Sequence, residues 1–194
     1  MQQKEDVLIN KWKNIDYLNS GTPTQMEVYQ LLKKHKLLEL LQDYSPILVG
    51  TVPIGIHIQS SDLDMICEVR NFEEFEDVAG AYFICMPNFS CSRRIVEGVE
   101  RITINFTIEG WPIEIFGQNK PTHEQNGFVH MVIEDRMLNL YGMKFKEQII
   151  KLKSEGVKTE PAFAHILQLE GDPYIILLEM SNWTDEELRI LWGH

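Results

Sequence analysis

The sequence predicts an α+β fold, a small sheet with flanking helices followed by a helical C-terminal part, on three observations. Apolar runs at 47–49 and 62–69 and an alternating pair at 101–108 and 111–117 read as strands. Helix-start signals stand before and after the first two of these, at Thr22-Pro23 and at Asn71. From Pro121 onward strand signals nearly vanish and helix starts recur, so the division is expected between an α/β domain at 1–120 and a helical part at 121–194 packed on it.

Residues 4–18 carry Val7, Leu8, Trp12, Ile15 and Leu18 at near-helical spacing. SGTPTQ interrupts that stripe and begins the next helix: Thr22 is an N-cap, Pro23 the first helical residue, and Gln25 completes a capping box. This helix is predicted to run to about Leu41, burying Val28, Leu31, Leu32, Leu38 and Leu41, and Pro46 marks the change to strand. The connection VPIGIHIQSS is apolar, yet Pro53 and Gly55 argue against a regular strand, leaving a turn and an irregular segment along a cleft. His57, alone in this connection, reads as structural or exposed.

After the 62–69 strand, Asn71 caps a short helix, NFEEFEDVAG, with Phe72, Phe75 and Val78 inward, Glu73, Glu74, Glu76 and Asp77 outward, and Gly80 as its stop. AYFICM is predicted as a strand and NFSCSRRIVEGVE as a weaker extended segment, with Arg93-Arg94 facing solvent or guiding a triphosphate. A hairpin then turns at Glu109-Gly110. On its second strand Ile113 and Ile115 face one side and Glu114 the other, and a carboxylate amid apolar neighbours needs a partner. The helical part reads as one helix ending near Gly142 and a second, MKFKEQIIKLKSEG, with Phe145, Ile149, Ile150 and Leu152 apolar and Lys144, Lys146, Lys151 and Lys153 charged. Helices capped by Thr159 and Asp172 and begun by Thr184 follow. His130, Arg136 and Lys158-Thr159-Glu160 read as capping or salt-bridging groups, with a substrate-facing role as the alternative.

With 194 residues, 44% hydrophobic and 24% charged, the chain has ordinary globular composition. A formal net charge of −11 argues against a general nucleic-acid surface, which needs Lys and Arg, and favours a small substrate. Neither a signal-peptide core at the N-terminus nor an apolar run of membrane-spanning length is seen, so a cytoplasmic protein without membrane partners is expected. Cys67, Cys85 and Cys91 lack C-x-x-C spacing and are read as reduced packing residues.

The chemistry concentrates between Ile47 and Val69. In a strand beginning at Asp62, Asp62 and Asp64 project from one face and Leu63 and Met65 from the other. Two carboxylates so placed repel each other unless a hard cation such as Mg2+ lies between them. Gly50-Thr51, directly after an apolar strand, allows close backbone approach and offers a hydroxyl and amides to phosphate oxygens. Ser60 and Ser61 precede the acids and either reach phosphate or are solvated turn residues. A calcium loop fits poorly, because the distal Glu and the regular alternation of oxygen donors are missing.

Val49-Gly50-Thr51, ten intervening residues, and Asp62-Leu63-Asp64-Met65 resemble the signature of the nucleotidyltransferase superfamily related to DNA polymerase beta. Thr51 departs from the Ser or Gly more usual there but keeps a hydroxyl. More narrowly, LVGTVPIGI, SDLD, KTEPAFA and GDPY together resemble the DUF4269 family of bacterial proteins, grouped with the nucleotidyltransferases, over nearly the whole chain. The resemblance implies a nucleotidyltransferase-like mixed or antiparallel sheet. It also implies a third carboxylate on a later strand beside the Asp pair, for which Glu114 is the choice and Glu109 a weaker one.

The expected activity is transfer of a nucleoside monophosphate from a nucleoside triphosphate to a hydroxyl or amine of a small-molecule or protein acceptor. In it Asp62, Asp64 and Glu114 hold two Mg2+, with Mn2+ as the substitute ion, and Gly50, Thr51 and Ser61 bind the nucleotide. Two alternatives stay open: a catalytically silent nucleotide-binding or regulatory module of antitoxin-like type, and a divalent-dependent phosphohydrolase.

Overall fold

The capping box organises more than one helix start. In the computed structural model, which describes residues 9–192, Gln25 N donates to Thr22 Oγ1 (3.2 Å) and Thr22 N donates to Gln25 Oε1 (2.9 Å), opening helix α1 (Pro23–Lys34). Gln25 is buried, and its Nε2 also donates to the carbonyls of Val52 (2.9 Å) and Pro53 (3.1 Å). The same side chain therefore caps α1 and pins the connection after the first strand. The helix does not reach Leu41: Lys36 turns left-handed (φ 52°), and a separate turn, α2 (Leu37–Leu40), follows. On an unbroken helix Leu38 would extend the Val28–Leu31–Leu32 stripe; the break buries Leu37 instead. Val7 and Leu8 of the expected N-terminal helix lie outside the described residues, while 9–13 are helical and Trp12 is buried.

Five strands form one mixed sheet in the order β1-β2-β5-β4-β3: β1 (Ile47–Val49), β2 (Leu63–Glu68), β3 (Ser90–Val96), β4 (Val99–Ile108) and β5 (Trp111–Gln118). β2 and β5 run parallel and every other neighbouring pair runs antiparallel. The β4–β5 hairpin turns at Glu109-Gly110 as expected, both with positive φ. Between β2 and β3 the expectation is corrected. Helix α3 (Phe72–Phe83), capped by Asn71, runs through Gly80 and absorbs the start of AYFICM. Phe72, Phe75, Ala79 and Phe83 continue one buried helical stripe, and Phe83 stacks on Phe106 of β4 with ring centroids 4.5 Å apart. The weaker segment after it is the edge strand β3 and the start of β4.

Alternation along the strands places two cores on opposite faces of the sheet. Leu48, Leu63, Met65, Cys67, Ile104, Ile113 and Ile115 pack with α1 and α3 on one face, whereas Ile47, Val49 and Ile66 pack with the C-terminal helices on the other. Those helices are α4 (Asn126–Ser154), α5 (Thr159–Leu167), α6 (Pro173–Met180) and α7 (Asp185–Leu191). Gly142 interrupts α4 with φ 77° and ψ −166°, so the two helices expected there meet at this residue. Phe145, just beyond it, packs edge-on against Phe163 and Trp192. Cys85 and Cys91 are exposed thiols rather than packing residues, and only Cys67 is buried. Among the described residues no helix is long and apolar enough to cross a membrane.

Because Gln25 satisfies an N-cap and two loop carbonyls, Gln25→Ala is expected to cost about 2 kcal/mol in urea denaturation. Truncating Gln42, an exposed residue, is expected to change stability by less than about 0.5 kcal/mol.

Candidate active site

The polar half of the second sheet face opens into a cleft of about 890 Å³, a size typical of small-molecule sites (~300–1,000 Å³). Its strand wall carries Gly50, Thr51, Ser61, Asp62, Asp64 and Glu114; its helical wall carries His130, Glu134, Lys153, Lys158 and Glu160.

Backbone pairing brings the strand-wall acids together. Asp64 is registered against Val49 on β1 and against Glu114 on β5, so Asp64 and Glu114 are neighbours on the same face while Leu63 and Ile113 point into the core. Asp62 precedes β2 and is exposed. The electrostatics record their proximity. Burial, then Asp62, then Glu114 raise the Asp64 carboxyl from its ordinary 3.8 to about 7, against a lowering influence of Lys153. Burial and Asp62 also raise Glu114.

Gly50 makes room for this arrangement. Its φ is +79°, and a Cβ there would lie 2.3 Å from Asp64 Oδ2. Next to it, Thr51 Oγ1 lies 3.3 Å from Ser61 Oγ, and Ser61 Oγ accepts from Ile58 N (3.0 Å), folding the connection back so that both hydroxyls face the cleft.

Three carboxylates sharing one space are the donor chemistry of hard divalent cations. The residues fit such an ion in kind: their mutual repulsion, seen at Asp64, is what a cation relieves. Among the described residues no group of three or more His, Cys, Asp or Glu side chains is arranged to hold a metal ion. As they stand the acids form a repelling set, not a closed cage.

The helical wall holds what the sequence reading passed over. Lys153, placed with the charged positions of its helix, is only 7% exposed, and its Nζ donates to Thr159 Oγ1 at 2.7 Å. Thr159 is accordingly the first residue of α5 rather than its cap; Lys158 stands at the N-cap and makes no side-chain capping bond. Burial lowers the Lys153 pKa against the opposing pull of Glu134, Glu160, Asp62 and Asp64. Glu134, 3% exposed, is pushed well up by burial and by Glu160. A sequence signal for both existed. Lys153 continues the Phe145–Ile149 stripe at i+4, and Glu134 lies between Met131 and Met137–Leu138 on one helical face. Charge on an apolar stripe marks a buried polar site.

Other candidates fall elsewhere. Glu109 pairs with Lys34 and His35 at the C-terminal end of α1. Arg93, on the edge strand, is engaged by Glu100 of β4 and Glu76 of α3, and Arg94 lies outside the cleft lining. Arg136 clamps the carbonyls of Ser181 (3.1 Å) and Trp183 (2.7 Å) together with Asp185 (2.9 Å). His57 does not line the cleft, and burial, Lys146 and Lys153 lower its pKa.

Residues 30–180 match the model of DUF4269, a domain of unknown function. No curated protein matches the sequence. Among solved structures, one of Cid1 that describes its RNA terminal uridylyl transferase activity is similar at 12% identity and a TM-score of 0.51, covering 85% of this chain and 52% of that one. The Cid1 poly(U) polymerase bound to MgGTP (13%, TM-score 0.49, 85% and 53% covered) and the GLD-2/RNP-8 complex (13%, 0.48, 99% and 82%) are also similar. The chain spans about half the length of the Cid1 structures. At such identities the likeness is one of fold, and the fold is nucleotidyltransferase-like.

A carboxyl that titrates at about 7 holds its proton more tightly in the folded chain than in the unfolded one, so stability falls as pH rises from about 4 to about 7. Asp64→Asn removes that penalty. It is expected to stabilise the metal-free chain by roughly 2–4 kcal/mol at about pH 8 and by about 2 kcal/mol less at about pH 5. Urea denaturation with a chelator present checks this; an equal change at both pH values would contradict it.

Proposed function

The chain belongs to the DUF4269 family, and from that premise and the acidic cleft beside the Gly50 turn we propose that it transfers a nucleoside monophosphate from a nucleoside triphosphate to a hydroxyl or amine acceptor. The observation that carries this reading is the register of Asp64 against Glu114, with Asp62 alongside and Gly50 directly beneath the Asp64 carboxylate.

Asp62, Asp64 and Glu114 would hold Mg2+, or Mn2+ in its place. When bound, such ions neutralise phosphoryl charge and polarise the reacting oxygens. The chain's own groups do the rest. Backbone amides at Gly50 and Thr51, with the Thr51 and Ser61 hydroxyls, bind the terminal phosphates. Lys153 and Lys158 offset their charge from the helical wall. Glu114, half-buried, takes the proton of the acceptor hydroxyl or amine on its carboxylate as that atom bonds to the α-phosphorus and the bond to pyrophosphate breaks. The two walls orient donor and acceptor for that displacement.

A silent nucleotide-binding module is the second reading, and one observation favours it. Lys153 lies in the field of Glu134 and Glu160 first and of Asp62 and Asp64 after them, so the cleft already holds a cation of its own near the acids.

Calorimetry with each of the four ribonucleoside triphosphates, with and without Mg2+, tests both. Mg2+-dependent binding is expected, weakened at least tenfold by Asp64→Asn. Gly50→Ala is also expected to weaken it, because the new methyl displaces the Asp64 carboxylate. Pyrophosphate release with a panel of amine and hydroxyl acceptors separates turnover from silent binding. An intact fold with no Mg2+-dependent binding of any triphosphate would remove the proposal.

A further inference from the structure

Two acids on the helical wall are not used by the nucleotidyl-transfer reading. Glu134 is 3% exposed and lines the cleft, yet its Oε1 has no hydrogen-bond partner among the described residues. Glu160, in the first turn of α5, lines the same wall, its Oε1 3.4 Å from His130 Nδ1. Lys153 lies in the field of both acids, but its ammonium donates to Thr159 Oγ1 and comes within 4.0 Å of neither carboxyl among the described residues. His130 Nε2 lies 2.9 Å from the Tyr174 carbonyl, so the ring is fixed from its other edge.

A buried carboxylate oxygen without a donor is unfavourable, and a ligand that supplies N–H groups to it regains that loss. A second acid on the same wall makes a positive donor better than a neutral hydroxyl, because a cation placed between them favours the ionised form of both.

We propose that Glu134 and Glu160 form the acceptor subsite of the cleft and that the acceptor is a small molecule carrying a primary ammonium group, hydrogen-bonded by Glu134 and ion-paired with Glu160. As an acceptor subsite it rests on the transfer reading, but binding at the pair requires no turnover. The donor phosphates lie against Gly50 and Thr51, and the ammonium docks on the helices opposite, leaving the reacting hydroxyl or second amine of the acceptor between the walls.

Calorimetry on the full chain tests this with 2-deoxystreptamine, a cyclitol diamine, and myo-inositol, its neutral polyhydroxyl counterpart. The diamine is expected to bind at least tenfold more tightly than myo-inositol. Glu134→Gln, which keeps shape but cannot ionise, is expected to weaken the diamine at least tenfold, and Glu160→Gln several-fold. Neither is expected to change Mg2+-nucleotide affinity by more than twofold. Equal binding of diamine and cyclitol, or unchanged diamine affinity in folded Glu134→Gln, overturns the subsite. If circular dichroism shows Glu134→Gln unfolded, the wild-type ratio and Glu160→Gln decide. Diamine binding without any Mg2+-nucleotide binding counts against the transfer reading and retains an ammonium site; nucleotide binding without diamine discrimination counts against the subsite and retains the transfer reading.

Discussion

Asp64 stands where three backbone constraints meet. Its main chain is paired with Val49 on one side and with Glu114 on the other, and its carboxylate lies against the bare Cα of Gly50. A one-residue slip of β2 against either neighbour would send that carboxylate into the layer now filled by Leu63 and Met65, so the apolar layer fixes the position of the acid. The placement is electrostatically unfavourable by itself, as a carboxyl held near 7 shows, and burial of Leu63, Met65, Ile113 and Ile115 on the opposite face offsets it. The site is thus a local conflict maintained by the core beneath it.

The conflict is shaped from a distance. Gln25 holds the carbonyls of Val52 and Pro53, which sets the path of the chain between Gly50 and the acids. Gln125, buried at the head of α4, donates to the carbonyls of Cys67 and Lys120 (2.9 Å each) and so seats the helical wall against the end of β2. Two amide side chains, one on each side of the sheet, therefore relate the phosphate turn, the acids and the helices. Each does so by donating to backbone carbonyls outside its own helix.

The helical wall changes the character of the cleft. The strand wall alone is an acidic patch; Lys153 and Lys158 add positive charge facing it, and Glu134 and Glu160 add a second acidic patch beyond. Charges of both signs in one cleft suit a ligand, or a pair of ligands, that carries both. The overall acidity of the chain does not show this, because a net charge sums over surfaces that never meet.

Sequence alone determined what depends on neighbours in the chain. The Leu63-Asp64-Met65 alternation, the lone Glu114 between isoleucines, the capping box at Thr22, the helix start at Thr184 and the break at Gly142 are local patterns that the structure carries, whereas Asp62, expected as the first residue of the strand, stands just before β2. Tertiary structure decided what depends on partners far along the chain. The parallel pairing of β2 with β5 puts Glu114 beside Asp64, and Phe83, in the last turn of α3, stacks on Phe106 of a strand far along the chain. Lys153 and Glu134 stand on apolar stripes in the sequence, but only packing between segments shows that both are buried. The reason is that periodicity and capping arise from the geometry of one segment, whereas register, burial and charge pairing are set by contacts between segments, and no single segment encodes its distance from another.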